Sequence, residues 1–176
     1  MPGPQIVSRQ NLVSNPWVTL IRKDVLMFGA LEDHYSLGLP DYVAIVALTP
    51  SGRLPLVRQY RPAVEQFTLE LPAGMVNPGE NASDCCVREL KEEVGLEVLS
   101  LHCLGAYLPD TGRLGNQQHL FLAKTEEEPG QDWVAEPGLE IVYVTAPELE
   151  RMVKESEFRH LLHISAVYLA GVLPAA

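Results

Sequence analysis

With 176 residues, 47% of them apolar, the chain has material for one compact domain with a buried core. Its formal net charge of −10 argues against a nucleic-acid partner, which is bound through phosphate neutralisation, and means that a phosphate-bearing ligand needs cations or clustered arginines. No apolar run approaches the ~18 residues of a membrane span, Met1-Pro2-Gly3-Pro4-Gln5 lacks the marks of a signal peptide, and Cys85, Cys86 and Cys103 show no zinc-like spacing; a cytosolic protein is expected.

In chain order, segment 1–40 leans towards β structure. Trp17-Val18-Thr19-Leu20-Ile21 reads as a strand, with weaker candidates at Val25–Phe28 and Tyr35–Leu37. Tyr42–Leu48 is a near-continuous apolar run, the pattern of a central strand. A turn at Thr49–Gly52 leads into a second strand, Arg53–Gln59, and the two are expected to form a hairpin. Leu69–Gly74 opens a loop. A helix follows from Ala82 to Val94, with Asn81 as N-cap, Asp84 in an approximate capping box and Gly95 as the stop. Strands are expected at Leu99–Tyr107, His119–Lys124 and Ile141–Val144, and helices at Pro147–Val153 and Glu157–Ala170. This order predicts an α/β or α+β fold with a mixed sheet. Two units are expected, a small N-terminal β element at 1–40 and a main domain at 41–176.

The Ala82–Val94 helix carries the chemistry. At about 100° per residue, Glu89, Glu92 and Glu93 share one arc of about 100°. Ala82, Cys86 and Leu90 form the apolar stripe, with Cys85 and Cys86 read as small buried residues. Glu93 then projects between Cys86 and Leu90, and Glu89 flanks them. Like charges at this spacing repel, and a carboxylate at a core edge needs a partner. Either the face is solvated, or a hard divalent cation gathers the carboxylates.

The full string is Gly74, five residues, Glu80, seven residues, then Arg88-Glu89-Leu90-Lys91-Glu92-Glu93-Val94-Gly95-Leu96. It matches every fixed position of the Nudix box, and the chain resembles the Nudix hydrolases. The resemblance implies an α/β/α sandwich with a mixed sheet, in which the box forms a loop–helix–loop. It implies that Glu89, Glu92 and Glu93 bind two or three Mg²⁺ or Mn²⁺ ions, supported by Glu80 and by the backbone carbonyl of Ala73. Arg88 resembles the arginine that orients a box carboxylate. Such ions screen the diphosphate charge and activate water, while a carboxylate takes the proton.

The flanks narrow the class. Val57-Arg58-Gln59-Tyr60-Arg61-Pro62 followed by Glu70-Leu71-Pro72-Ala73-Gly74 resembles the ADP-ribose and nucleoside diphosphate sugar pyrophosphatases. Arg58 and Arg61 face opposite sides of an extended strand; Arg61, at its end, is the choice for phosphate contact. Glu70 either pairs with an arginine or touches the ligand. In that subgroup the N-terminal strands form a β element at a homodimer contact, where Trp17 and Phe28 either reach the nucleotide base or serve as core. Two positions depart from the pattern: Thr111 replaces a proline, and Asn116 stands where the subgroup often has a glutamate. Both lie in the substrate-recognition loop, so GDP-mannose-like substrates stay open. The catalytic base is assigned by resemblance to the loop of about Thr125–Leu139, with Glu136 best placed; a solvated acidic loop is the alternative. His119 is expected beside the site, and His34, His102, His160 and His163 are read as structural.

The expected activity is metal-dependent hydrolysis of ADP-ribose or a related nucleoside diphosphate sugar to a nucleoside monophosphate and a sugar phosphate. The alternatives are a Nudix enzyme for coenzyme A, dinucleoside polyphosphates or nucleoside triphosphates, or a non-catalytic ADP-ribose sensor. The sensor fits poorly, since the box is intact and there is no spare length for a DNA-binding element.

Overall fold

The computed structural model describes residues 3–174. Met1 and Pro2, which begin the segment read as lacking a signal peptide, lie outside the described residues. The chain divides into two units, Met1–Asp41 with Leu108–Gln117, and Tyr42–Tyr107 with Gln118–Ala176. No helix among the described residues is long and apolar enough to cross a membrane.

The first unit holds an antiparallel sheet of order β1-β2-β3, formed by β1 (Gln5–Ser14), β2 (Thr19–Met27) and β3 (Ala30–Gly38). Strand β1, which the sequence pattern does not announce, is broken by irregularities between Ile6 and Ser8 and between Asn11 and Val13. These breaks explain why no clean alternation is visible. The strand expected from Trp17 begins instead at Thr19. The Asn15 side-chain oxygen accepts from the amides of Trp17 (2.9 Å) and Val18 (3.0 Å), an Asx turn that holds both residues out of the ladder. Phe28 is likewise a turn residue. With Gly29 it forms the two-residue link between paired Met27 and Ala30, both central residues having positive φ (51° and 87°). Segment 108–117 joins this unit through Leu37 N–H to Arg113 O (2.8 Å) and Asn116 Nδ2 to Pro40 O (3.0 Å).

The second unit is built around β4 (Tyr42–Leu48), in a sheet of order β7-β4-β9-β8 with β7 (Ala73–Met75), β8 (Val98–Tyr107) and β9 (Gln118–Thr125). Strand β4 runs parallel to β9 and antiparallel to β7, so the sheet is mixed, as expected. Val43 to Ala47 are all buried because each face meets its own core. Val43, Ile45 and Ala47 pack with Cys85, Cys86, Leu90 and Phe121. Ala44 and Val46 pack with Leu149, Phe158, Ala166 and Val167. The first set belongs to the side of helix α1 (Ala82–Glu89), the second to that of α2 (Ala146–Lys154) and α3 (Leu161–Leu169), which makes the α/β/α layering.

The expected hairpin is corrected. The turn forms, with Gly52 N–H to Thr49 O at 2.8 Å, but β5 (Leu54–Arg61) does not pair with β4. It is the middle strand of a separate sheet of order β10-β5-β6, with β6 (Gln66–Glu70) and β10 (Glu140–Val144). Both edges of β4 are already taken by β7 and β9. Two further readings change. The loop expected at Leu69–Gly74 contains the end of β6 and the start of β7, and the helix expected from Glu157 starts at Leu161. Before it, Glu157 and Phe158 donate to Met152 O and so close the end of α2.

Candidate active site

Gly74, Glu80 and the box helix converge at one end of β4. Asn81 caps α1 by accepting from Asp84 N–H at 2.9 Å, as its residue type predicts. The helix does not stay α throughout: Leu90–Val94 forms a π turn closed by Gly95 at φ 71°. A π turn places more residues in each turn than an α-helix, so the wheel angles drawn from the sequence hold only as far as Glu89. Cys85 and Cys86 are buried, and burial pushes both thiols up, Cys85 to about 12, which fits packing residues.

Arg88 is the hub of the cluster. Its Nε donates to Glu80 Oε1 (2.8 Å) and its Nη2 to Glu80 Oε2 (3.0 Å) and Met75 O (3.1 Å). Its Nη1 donates to Glu89 Oε1 (2.6 Å) and Glu92 Oε2 (3.0 Å). One guanidinium thus orients three box carboxylates. The Arg88 hydrogen bonds, helped by the Asn77 amide, hold Glu80 down at about 2. Glu89 and Glu93 go the other way. Burial raises both, against the pull of Arg88 on Glu89 and of the Ala73 amide on Glu93, and Glu93 reaches about 8.

Gly74 has a steric role. A Cβ there would stand 1.9 Å from Cδ and Oε1 of Glu89, so the Glu89 carboxylate lies flat against the glycine. Beside it, Ala73 N–H donates to Glu93 Oε2 at 2.9 Å. Ala73 therefore meets the cluster through its amide, where the resemblance implied its carbonyl.

The donor set is hard oxygen only, partly buried and crowded with like charge, and its burial-raised carboxyls would be relieved by a cation. These are the requirements of a hard divalent cation. Among the described residues, the group of ligand atoms lying within 4.8 Å of one another is a different one: Glu70, His160 and His163.

The flanking residues sort clearly. Glu70 is buried and takes a two-pronged ion pair from Arg61, Nε to Oε1 at 2.9 Å and Nη2 to Oε2 at 2.7 Å, with Thr68 Oγ1 on Oε1 at 2.6 Å. Burial raises Glu70, but these bonds overcome it and bring it to about 2. Of the two options read from the sequence, Glu70 takes the arginine. Arg61 also lies close enough to Glu93 for each charge to act on the other. Arg58 turns elsewhere, to Glu140 Oε2 (2.9 Å) and over the Phe67 ring (4.5 Å). Glu136 is exposed in the loop between β9 and β10, and its side chain makes no hydrogen bond or ion pair among the described residues. Trp17 and Phe28 are exposed and Asn116 is buried; all three belong to the other unit.

Sequence reasoning missed Trp133. Its indole N–H donates to Glu92 O at 3.0 Å, satisfying a carbonyl at the end of the box helix. Its ring closes on Gly95, where a Cβ would stand 2.4 Å from Trp133 Cδ2. Gly95 is thus required twice, by its positive φ and by this contact. A large aromatic in a loop rich in acid, proline and glycine was the available signal. His163 was also underread: its Nδ1 accepts from Leu71 N–H at 3.0 Å, a contact across 92 positions that no local pattern reveals.

A family model described as the NUDIX domain matches residues 38–163. An ADP-ribose pyrophosphatase of Bacillus subtilis is 27% identical over 154 residues, covering 86% of this chain and 83% of that protein. A methanol dehydrogenase activator of Bacillus methanolicus is 29% identical over 118 residues, 66% of this chain and 64% of its own length. An ADP-ribose pyrophosphatase of Mycobacterium tuberculosis is 31% identical over 134 residues, 74% of this chain and 62% of that one. The chain thus spans less than two thirds of the latter two relatives. A crystal structure of an ADP compounds hydrolase superposes with a TM-score of 0.81 over 97% of this chain and 94% of its own, at 21% identity, which establishes a shared fold.

Proposed function

The chain belongs to the NUDIX family, and we propose that it hydrolyses the diphosphate bond of ADP-ribose or a related nucleoside diphosphate sugar to a nucleoside monophosphate and a sugar phosphate. The observation that carries this reading is the Arg88 hub. Glu80, Glu89 and Glu92 meet on one guanidinium, while Glu93 is held separately by the Ala73 amide.

Glu89, Glu92 and Glu93, supported by Glu80 and the Ala73 carbonyl, would hold two or three Mg²⁺ or Mn²⁺ ions. Bound there, the ions supply charge screening at the diphosphate and Lewis-acid activation of the nucleophilic water. Arg88 keeps Glu89 and Glu92 oriented. Gly74 leaves room for the Glu89 carboxylate, and the Ala73 amide fixes one oxygen of Glu93. Arg61 sets positive charge beside Glu93, where a substrate phosphate would arrive. Glu136, exposed on its loop, is the proposed general base; Glu92 is the alternative group for the proton, being the most exposed of the box carboxylates.

The ADP-ribose preference rests on the Arg58–Arg61 and Glu70–Gly74 flanks and on the names of the relatives from Bacillus subtilis and Mycobacterium tuberculosis. A homodimer is proposed from the first unit. Its edge strand β1 is exposed along its whole length and carries Ile6, Val7, Leu12 and Val13, the kind of edge that invites pairing. Trp17 and Phe28 there, together with Asn116, are the proposed contacts to the nucleotide.

The test is a panel of ADP-ribose, other nucleoside diphosphate sugars, coenzyme A and dinucleoside polyphosphates, incubated with Mg²⁺ or Mn²⁺, with products identified. Nucleoside monophosphate and sugar phosphate from ADP-ribose are expected. Absence of monophosphate from every member would defeat the proposal.

A further inference from the structure

The Glu70–His160–His163 group has the composition of a transition-metal site, but Glu70 and His163 are committed elsewhere, and His160 Nδ1 is buried without a hydrogen-bond partner. Both Glu70 oxygens are held by Arg61. His163 Nδ1 accepts from Leu71 N–H, so its proton sits on Nε2 and the ring is neutral. Burial and the stacked ring of His160, 3.8 Å away and 17° from parallel, keep it so. The group is better described as a brace than as a ligand set.

What it braces is the link between the two sheets of the second unit. Strand β6 ends at Glu70 and β7 begins at Ala73, so Leu71 and Pro72 cross from one sheet to the other. Proline has no N–H, and only Leu71 and Ala73 can donate from this stretch. Leu71 donates to His163, and Ala73 to Glu93. Pro72 O accepts from Ile45 N–H of the central strand at 2.9 Å. With φ of Pro72 locked by its ring, one of the dihedrals that could absorb a displacement of Leu71 before it reaches Ala73 is removed. The other end of the brace is rigid, because α3 is anchored in the core by Ala166 and Val167.

We infer that His163 is a positioning residue for the box: by holding the Leu71 amide it sets where the Ala73 amide meets Glu93. The role extends the proposed metal site without depending on the substrate. It assigns a function to the C-terminal helix, which lies far along the chain from the box.

The test compares the full-length His163→Leu, His163→Asn and His163→Gln proteins with the parent. Mn²⁺ alone is titrated calorimetrically, and hydrogen exchange is followed in the peptide spanning residues 70–75. His163→Leu should weaken Mn²⁺ binding by about 10-fold or more, the usual size of such indirect effects, and speed exchange in that peptide. The asparagine oxygen falls near the place of Nδ1 and should restore both; the longer glutamine should not. If the leucine variant does not fold, asparagine against glutamine still decides. A lowered melting temperature with unchanged Mn²⁺ affinity and unchanged exchange would overturn the inference. So would stoichiometric Zn²⁺ binding lost in all three variants, which would make the group a metal site. A parent protein that binds no Mn²⁺ defeats the proposed function instead, and the exchange comparison then settles the brace by itself.

Discussion

The two units of the chain spend their apolar residues in opposite ways. Strand β4 buries five successive residues between two helical layers, and the box helix closes one of its faces. The three strands of the first unit bury one hydrophobic residue, Val25, and leave Ile6, Val7, Leu12, Val13, Leu26, Leu31 and Tyr35 exposed. A unit with its own core can hold carboxylates rigidly against their mutual repulsion. A sheet without one is a surface waiting for cover. The difference separates where chemistry is expected from where assembly is expected.

The largest test falls on the rigid unit. Glu93→Gln removes a carboxylate while keeping size and the acceptor for Ala73 N–H, and kcat should fall by about 10³-fold or more, several kcal/mol of lost cation-based stabilisation. Far-UV circular dichroism should be unchanged, and a parent-like rate would refute the metal assignment. Next is Gly74→Ala. The atoms that its Cβ meets are the far end of the Glu89 side chain, so the fold can yield cheaply while the carboxylate cannot stay in place. Activity should drop about 10²-fold with a nearly unchanged melting temperature; the reverse result would show that Gly74 serves the backbone alone.

The acid limb of stability gives a smaller effect. Glu70 lies at about 2 against 4.5 unfolded, and His163 at about 3 against 6.5. Both are lowered in the folded protein. Their stabilisation is therefore complete above the unfolded values and is lost as pH falls, from about 6.5 downward for His163 and from about 4.5 for Glu70. Glu93, raised to about 8, acts in the opposite sense down to about 4.5 in parent and variant alike, so melting temperature should decline below pH 4.5, and His163→Asn should lessen the loss between pH 6.5 and 4.5. An identical slope in parent and variant would mean that other groups carry the transition.

The smallest effect on chemistry is expected from the exposed sheet. Leu12→Glu with Val13→Glu should shift sedimentation from dimer to monomer and raise KM by about 5-fold, roughly 1 kcal/mol, with kcat nearly constant. A monomeric parent would remove the proposed role of this edge and erase half of the contrast.

The periodic and capped segments were legible in the order of residues alone. Tyr42–Leu48 reads as a buried strand because its short, β-branched apolar run has no polar face, and Asn81, Asp84 and Gly95 announced the ends of a helix. The spacing from Gly74 to Leu96 identified the box, since glycines and glutamates at fixed offsets are a local property of the chain. The pairing of strands was not legible. The turn at Thr49–Gly52 looks the same whether it closes a hairpin or passes the chain to another sheet, and the outcome depended on β9 reaching β4 from far along the chain. The partners of the site residues were equally hidden. Arg88 joining three carboxylates, Trp133 on the Glu92 carbonyl and His163 on the Leu71 amide are contacts that folding brings about. The sequence by itself determined which carboxylates are gathered and on what helix, because side-chain identity and spacing are written there. Only the tertiary structure decided what holds each of them in place, because a hydrogen-bond partner is selected by proximity after folding and not by position along the chain.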